Sequence, residues 1–266
     1  MPKLAANLTM LFTELDFLDR FRAAANCGFG AVEILFPYDW PTGEINTRLA
    51  ENGLVLALFN TPPGDWAAGE RGLAARPGRE AEFRDGIALA LDHAEALRCP
   101  QIHVVAGVLG DGEDRAAAHA TYLDNLAAAA AAARARGVRI LIEPVNCRHD
   151  MPGYFLNTAA QARDVIEAVG SDNLFLQCDL YHAQIMTGDL AETIRTHLDI
   201  IRHFQIAGVP GRHEPDQGEI NYPFLFNLID SLGYQGWIGC EYHPAGDTVD
   251  GLGWALDYDI GGHGGG

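Results

Sequence analysis

A (β/α)8 barrel is the fold class that this sequence predicts, and three observations predict it. Eight short apolar or β-branched runs alternate with longer helical patterns along the 266 residues, the signature of a parallel sheet with helical crossovers. Five helical patterns stop at a glycine just before the next run, at Gly28, Gly53, Gly137, Gly170 and Gly233. Glycine adopts the left-handed conformation that ends a helix without steric penalty. Finally, no linker or composition shift divides the chain, so residues 1–260 read as one barrel domain, close to the typical barrel size of about 250 residues. The competing class is a doubly wound sheet, which announces itself by a glycine-rich turn after its first strand. Here that turn reads "TMLFTELDF", which gives a dinucleotide no phosphate cradle.

The elements follow in order. The first strand is "LAANL" (4–8), with a helix over 14–26. "AVEIL" (31–35) precedes a helix over 42–52, and "LVLALF" (54–59) precedes one over 80–97. "QIHVV" (101–105) leads to a helix over 114–136, whose run "AAAAAAARARG" (127–137) is a strong helix former. "RILIE" (139–143) is followed by 157–169, and "LFLQCD" (174–179) by 188–201. "HFQIA" (203–207) is followed by 222–232, and "WIGCE" (237–241) closes the set. The tail "GGHGGG" (261–266) is low-complexity and expected to be disordered.

Composition excludes several functions. The chain is 48% apolar and 20% charged, which is globular, and it holds no apolar run of the length a membrane span requires. The N-terminus "MPKLAANLTMLFTELD" lacks the charged start, apolar middle and cleavage site of a signal peptide, so the expected compartment is the cytoplasm. Cysteines 27, 99, 147, 178 and 240 are odd in number and widely spaced, which suits small hydrophobes better than a disulfide framework or a structural zinc site. With 36 acids against 18 bases the net charge is −18, which repels nucleic acid and anionic membranes. An anionic small substrate is repelled as well, so its site needs a metal or a local arginine. Composition leaves self-association into a homo-oligomer open.

Barrel enzymes carry their chemistry at the C-terminal ends of the strands. Strand five ends at Glu143, strand six at Asp179 and strand eight at Glu241, while strand seven holds Gln205. Alternation along a strand supports this set: if the acids face inward, their neighbours Ile142, Cys178 and Cys240 face the helices. Three carboxylates facing one another repel unless a cation neutralises them. The all-oxygen set Glu143, Asp179, Gln205 and Glu241 favours a divalent ion such as Mg²⁺ or Mn²⁺ over zinc. A metal that polarises a carbonyl acidifies the neighbouring C–H. Glu143 and Glu241 could then remove a proton at one carbon and return one at the next. That is the chemistry of an aldose–ketose isomerase or an epimerase.

At these residues the chain resembles the hydroxypyruvate isomerase family, including the 2-oxo-tetronate isomerases, within the xylose isomerase-like barrels. The resemblance runs through "AANLTMLFTELDFLDRF", "FNTPPGDWAAGERGL", "DMPGYFLN" and "PGRHEPDQGEINYPFLF". It implies a metal-assisted isomerase of a small 2-oxo acid, with Glu143 and Glu241 as acid/base pair and Glu143, Asp179, Gln205 and Glu241 as metal ligands. Related ketose 3-epimerases carry histidine where Gln205 stands, so the glutamine leans toward oxo acids. His182, expected on the loop after strand six, resembles the family's substrate-contacting histidine. Arg212 resembles its substrate-binding arginine, suited to a carboxylate, and Arg148 is a second candidate. Two features depart from the pattern: His243 stands where a long basic residue is expected, and "VNCRHDMPGYF" is one residue longer than expected. Both bear on substrate identity. The alternatives are a ketose 3-epimerase acting on uncharged sugars, a non-catalytic sugar-binding barrel and, against the charge, an endonuclease.

Overall fold

The computed structural model of the chain describes residues 1–261. Eight parallel strands close into a barrel in chain order, with the first and last paired from Lys3↔Trp237 to Ala6↔Cys240. They are β1 (Lys3–Asn7), β2 (Ala31–Ile34), β3 (Val55–Asn60), β4 (Gln101–His103), β5 (Arg139–Ile142), β6 (Leu174–Asp179), β7 (Ile201–Ile206) and β8 (Trp237–Cys240). The flanking helices are α1 (Phe17–Asn26), α2 (Thr42–Glu51), α3 (Glu80–Leu97), α4 (Arg115–Arg134), α5 (Ala159–Val169), α6 (Leu180–Met186), α7 (Leu190–His197) and α8 (Tyr222–Ser231). Short 3₁₀ segments cover Pro37–Asp39 and Asp250–Tyr258.

Alternation sorts the strand residues into two environments. Val32, Ile34, Ile102, Ile140, Ile142, Leu176, Cys178, Phe204, Ile206 and Cys240 point outward into one apolar layer shared with the helices. Among the residues that alternate with them, Glu33, His103, Gln177, Asp179, His203 and Gln205 are polar and buried inside the barrel. Lower down, Ala5, Ala31 and Ala57 pack against Trp237, small side chains around one large one. Cys27, Cys99, Cys178 and Cys240 are buried in the apolar layer, as small hydrophobes would be. The alanine-rich α4 works by size: Ala118, Ala129, Ala130 and Ala133 form a buried strip that lets its backbone approach the barrel. Its first turn is held by Asp114, whose carboxylate accepts from the Ala116 and Ala117 amides.

The structure departs from the expected elements in three places. The helix expected over 188–201 is shorter, because residues 198–200 form a turn and β7 begins at Ile201. The segment after β6 is the helix α6 rather than a loop. The Asp179 carboxylate ends the strand and caps this helix by accepting from the Tyr181 amide at 2.8 Å, and seven residues are too few for an amphipathic pattern to show. The third departure is the 3₁₀ segment after β8, which occupies the eighth helical position. Of the expected tail 261–266 only Gly261 is described, its amide bonded to the Cys27 carbonyl; the rest lies outside the described residues. No described helix is long and apolar enough to cross a membrane.

Candidate active site

At the C-terminal ends of the strands lies a cavity of about 720 Å³, whose wall includes Glu143, His182, Arg212, Glu241 and His243. Glu143 follows the last residue of β5 and is 6% exposed, Asp179 ends β6 at 2% and Glu241 follows β8 at 4%. Parallel pairing of neighbouring strands brings these ends to one level.

Glu143, Asp179 and His182 bring one polar atom each to within 4.8 Å of one another, a grouping that can hold a metal ion. The histidine Nε2 lies 3.5 Å from Asp179 and 3.9 Å from Glu143. Its other nitrogen, Nδ1, lies 2.8 Å from the Asn146 amide nitrogen. The orientation of Asn146 follows from its oxygen, which accepts from the backbone amides of His149 and Asp150. Asn146 therefore donates to Nδ1, and the hydrogen-bond network assigns the imidazole proton to Nε2, facing the carboxylates. Burial and the Arg212 guanidinium hold the His182 pKa well below its ordinary value, so the ring is neutral. A neutral ring protonated on Nε2 is a donor rather than a metal ligand. Its place is on the first turn of α6, not on a loop.

Arg212 lies among the acids. One terminal nitrogen is 3.0 Å from Asp150, and the other is 3.2 Å from Glu241 and 3.5 Å from Asp179. The guanidinium stacks over the Tyr181 ring at 4.9 Å, and that tyrosine donates to Asp150. Burial opposes the arginine's charge, yet Glu241, Asp179 and Asp150 together hold its pKa above the ordinary value. One cation does not balance four acids. Burial, Glu241 and Asp179 push the Glu143 carboxyl up, and its Oε1 is buried without a hydrogen-bond partner. Burial likewise raises Glu241, against the pull of Arg212, and takes Asp179 up to about 6. Surplus buried negative charge together with an orphaned carboxylate oxygen suits a divalent cation.

Gln205 sits beside Asp179 in register but is engaged elsewhere. Its carbonyl oxygen accepts from Gln177 at 2.6 Å and its amide donates to Glu33 at 2.9 Å. Both polar ends of the amide are thus engaged within the barrel; of the expected set, Glu143 and Asp179 fall in one close group with His182, and Arg212 links Asp179 to Glu241. Arg148 does not line the cavity: its guanidinium donates to the carbonyls of Ile185 and Met186 at the end of α6. The turn around Asn146 directs Asp150 inward and Arg148 outward. His243 stands at the rim with its amide on the Arg212 carbonyl, and burial with the nearby guanidinium lowers its pKa.

Sequence reasoning missed a polar floor beneath the acids. Glu33 on β2 accepts from His203, Asn7 and Gln205 at 2.7, 3.0 and 2.9 Å. Asn7 also donates to Glu241 at 3.2 Å, so the floor fixes one wall of the site. His103 on β4 lies 3.5 Å from Glu143 and 3.1 Å from Asn60; burial takes its pKa down to about 3, so it is neutral. The signal was available, because the alternation applied to β5, β6 and β8 also turns Glu33 and His103 inward.

A family model described as xylose isomerase-like TIM barrel matches residues 21–258. The 2-oxo-tetronate isomerase of Cupriavidus necator is 57% identical over 258 residues, covering 97% of this chain and 99% of that protein. The hydroxypyruvate isomerase of Escherichia coli is 47% identical over 258 residues, covering 97% and 100%. A crystal structure from Brucella melitensis, named AP endonuclease, family 2, superposes with a TM-score of 0.95 at 50% identity, covering 97% and 99%.

Proposed function

The chain belongs to the hydroxypyruvate isomerase family of xylose isomerase-like TIM barrels and is an isomerase of small hydroxy-oxo acids; we propose that it shifts the carbonyl of a 2-oxo acid bearing a 3-hydroxyl to C3. The pairs that fit are hydroxypyruvate with tartronate semialdehyde and 2-oxo-tetronate with 3-oxo-tetronate. The observation that carries the reading is the convergence of Glu143 and Glu241, from β5 and β8, on one cavity with Asp179 and a donor histidine.

One glutamate takes the proton from C3; the C–H electron pair forms the C2–C3 double bond while the π pair of the C2 carbonyl moves onto its oxygen, giving an enediolate. The C3 hydroxyl proton then passes to the C2 oxygen and the O–H electron pair forms the C3 carbonyl. In that step the C2–C3 π pair takes a proton at C2 from the other glutamate. A pair of this kind needs one ionised and one protonated member. Two buried carboxyls, each raised in pKa by burial, suit a pair that shares one proton. His182 faces the acids with its Nε2 proton, placed to donate to the oxygen that gains charge. Arg212 holds Asp150, Asp179 and Glu241 in place and offsets part of their charge. Glu143, Asp179 and Glu241 would hold a divalent ion such as Mg²⁺ or Mn²⁺, which would supply positive charge beside the substrate oxygens.

The name of the Brucella protein raises the endonuclease reading. A net charge of −18 opposes it, because a polyanion approaches such a surface at a loss. Solvent exchange tests the proposal: each small 2-oxo acid is incubated with the enzyme and Mg²⁺ or Mn²⁺ in deuterated water. Loss of the C3 proton signal is expected for hydroxypyruvate or 2-oxo-tetronate. Exchange confined to neutral ketoses would transfer the assignment to a 3-epimerase.

A further inference from the structure

A 2-oxo acid brings a carboxylate into a strongly acidic protein, and something in the cavity must answer that charge. Among the described residues two guanidinium groups line the cavity, Arg212 and Arg71. Both terminal nitrogens of Arg212 already face carboxylates. His243 is the other rim candidate, and its backbone is tied to the Arg212 loop, its amide donating to the Arg212 carbonyl and its carbonyl facing His213 Nδ1.

Arg71 is different in kind. It is half-buried, lies in the loop between β3 and α3, and forms no ion pair among the described residues. One terminal nitrogen donates to the carbonyls of Trp66 and Glu70, at 3.0 and 2.7 Å. The guanidinium carbon lies 3.6 Å from the centre of the Trp66 ring, a close stack. Trp66 in turn rests on Phe36 with centroids 5.4 Å apart, and both rings line the cavity. The loop is closed on itself: the Gly72 amide donates to the Pro63 carbonyl at 2.8 Å. Gly72 packs so tightly on the Val105 carbonyl that a Cβ would lie 2.3 Å from its oxygen. Glu70, the nearest acid in sequence, is taken up by Arg79. The fold thus holds a cation at the cavity wall with one edge fixed and the other edge unpaired.

We propose that Arg71 is the specificity-determining residue that pairs with the substrate carboxylate, so that the loop after β3 selects oxo acids over neutral sugars. The inference rests on the oxo-acid reading above. The acid/base groups lie on β5 and β8, while Arg71 belongs to a different loop of the same cavity. A four-carbon acid spanning them would present its carboxylate to Arg71 and its C2–C3 bond to the glutamates. Stacking on Trp66 fixes the guanidinium plane in advance, which spares the entropy of ordering a free arginine.

The test compares wild type, Arg71→Ala and Arg71→Lys on two substrates, hydroxypyruvate and dihydroxyacetone, which carries a hydroxymethyl group in place of the carboxylate. For Arg71→Ala the preference for the acid, as a ratio of kcat/KM values, is expected to fall about 10- to 100-fold. The loss should lie mainly in KM, with partial recovery in Arg71→Lys. Binding of oxalate by calorimetry should weaken in parallel, a readout independent of turnover. Wild-type turnover of the acid with an unchanged ratio in Arg71→Ala would overturn the role of Arg71 and leave the oxo-acid reading intact. Wild-type turnover of neutral ketoses only would overturn both. If Arg71→Ala fails to fold, Arg71→Lys and Arg71→Gln decide: equal KM values for the acid in both would overturn the proposal.

Discussion

Gly239 on β8 faces the buried carboxylate of Glu33 on β2, the two strands that flank β1. A Cβ added there would lie 2.3 Å from Oε2 and 2.5 Å from both Cδ and Oε1. No heavy atoms tolerate such an approach, so Gly239→Ala requires the carboxylate to leave its place. Glu33 is 1% exposed and accepts from Asn7, His203 and Gln205. A hydrogen bond to a charged group is worth about 1.5–3 kcal/mol. Losing two of the three donors without access to water destabilises the fold by about 3–5 kcal/mol. At roughly 2–4 °C per kcal/mol for a chain of this size, the thermal midpoint falls by about 6–20 °C. Urea unfolding supplies the free energy, and the same substitution in a Glu33→Ala background supplies the control. With the carboxylate gone, the added methyl should destabilise by less than about 1 kcal/mol, a coupling that a double-mutant cycle reads directly. Equal destabilisation in both backgrounds, or a single variant as stable as wild type, would refute the steric reasoning. Because Asn7 bridges Glu33 and Glu241, activity should fall with stability.

Two further outcomes follow from the site. Asn146→Asp keeps the acceptor for the His149 and Asp150 amides but faces His182 Nδ1 with an acceptor instead of a donor. The imidazole proton then moves to Nδ1, and kcat should drop about 100- to 1000-fold, the loss typical of a missing oxyanion donor; unchanged turnover would refute the assigned tautomer. The second outcome concerns pH. Burial raises Asp179 from 3.8 to about 6 and raises Glu143 and Glu241 as well. A carboxyl with a raised folded-state pKa adds stability below its unfolded value and loses it as pH climbs through the folded one. The metal-free protein therefore loses this contribution from about pH 4 to pH 6 and beyond. A divalent ion binds the ionised form, so the rise in thermal midpoint on adding Mn²⁺ should grow with pH over that window; a pH-independent increment would contradict a carboxylate metal site.

Much of this molecule is legible in its sequence because strand alternation is a strong signal. Each of the eight strands lies where an apolar run stands, and the outward Ile142, Cys178 and Cys240 require inward acids beside them. What stayed hidden depends on where side-chain ends meet. Gln205 lies at the expected level, yet Gln177 and Glu33, both buried partners without a motif, take its amide. Arg148 and Arg212 look alike as loop arginines. Only the turn around Asn146 and the acids around Arg212 send one to the carbonyls of α6 and the other to the site. Glu33 and His103 were within reach of the alternation rule, whereas Arg71 was not, since loops carry no period.

Proton exchange in the two glutamate variants probes the mechanism at its root. Glu143→Gln and Glu241→Gln each keep the shape of the site while removing one member of the acid/base pair. In deuterated water with Mn²⁺ and hydroxypyruvate or 2-oxo-tetronate, wild type should exchange the C3 proton with solvent; the variant that lacks the C3 base should lose that exchange, and both variants should lose product formation. Exchange at the wild-type rate in both variants would contradict the assignment of Glu143 and Glu241 as the groups that move the proton.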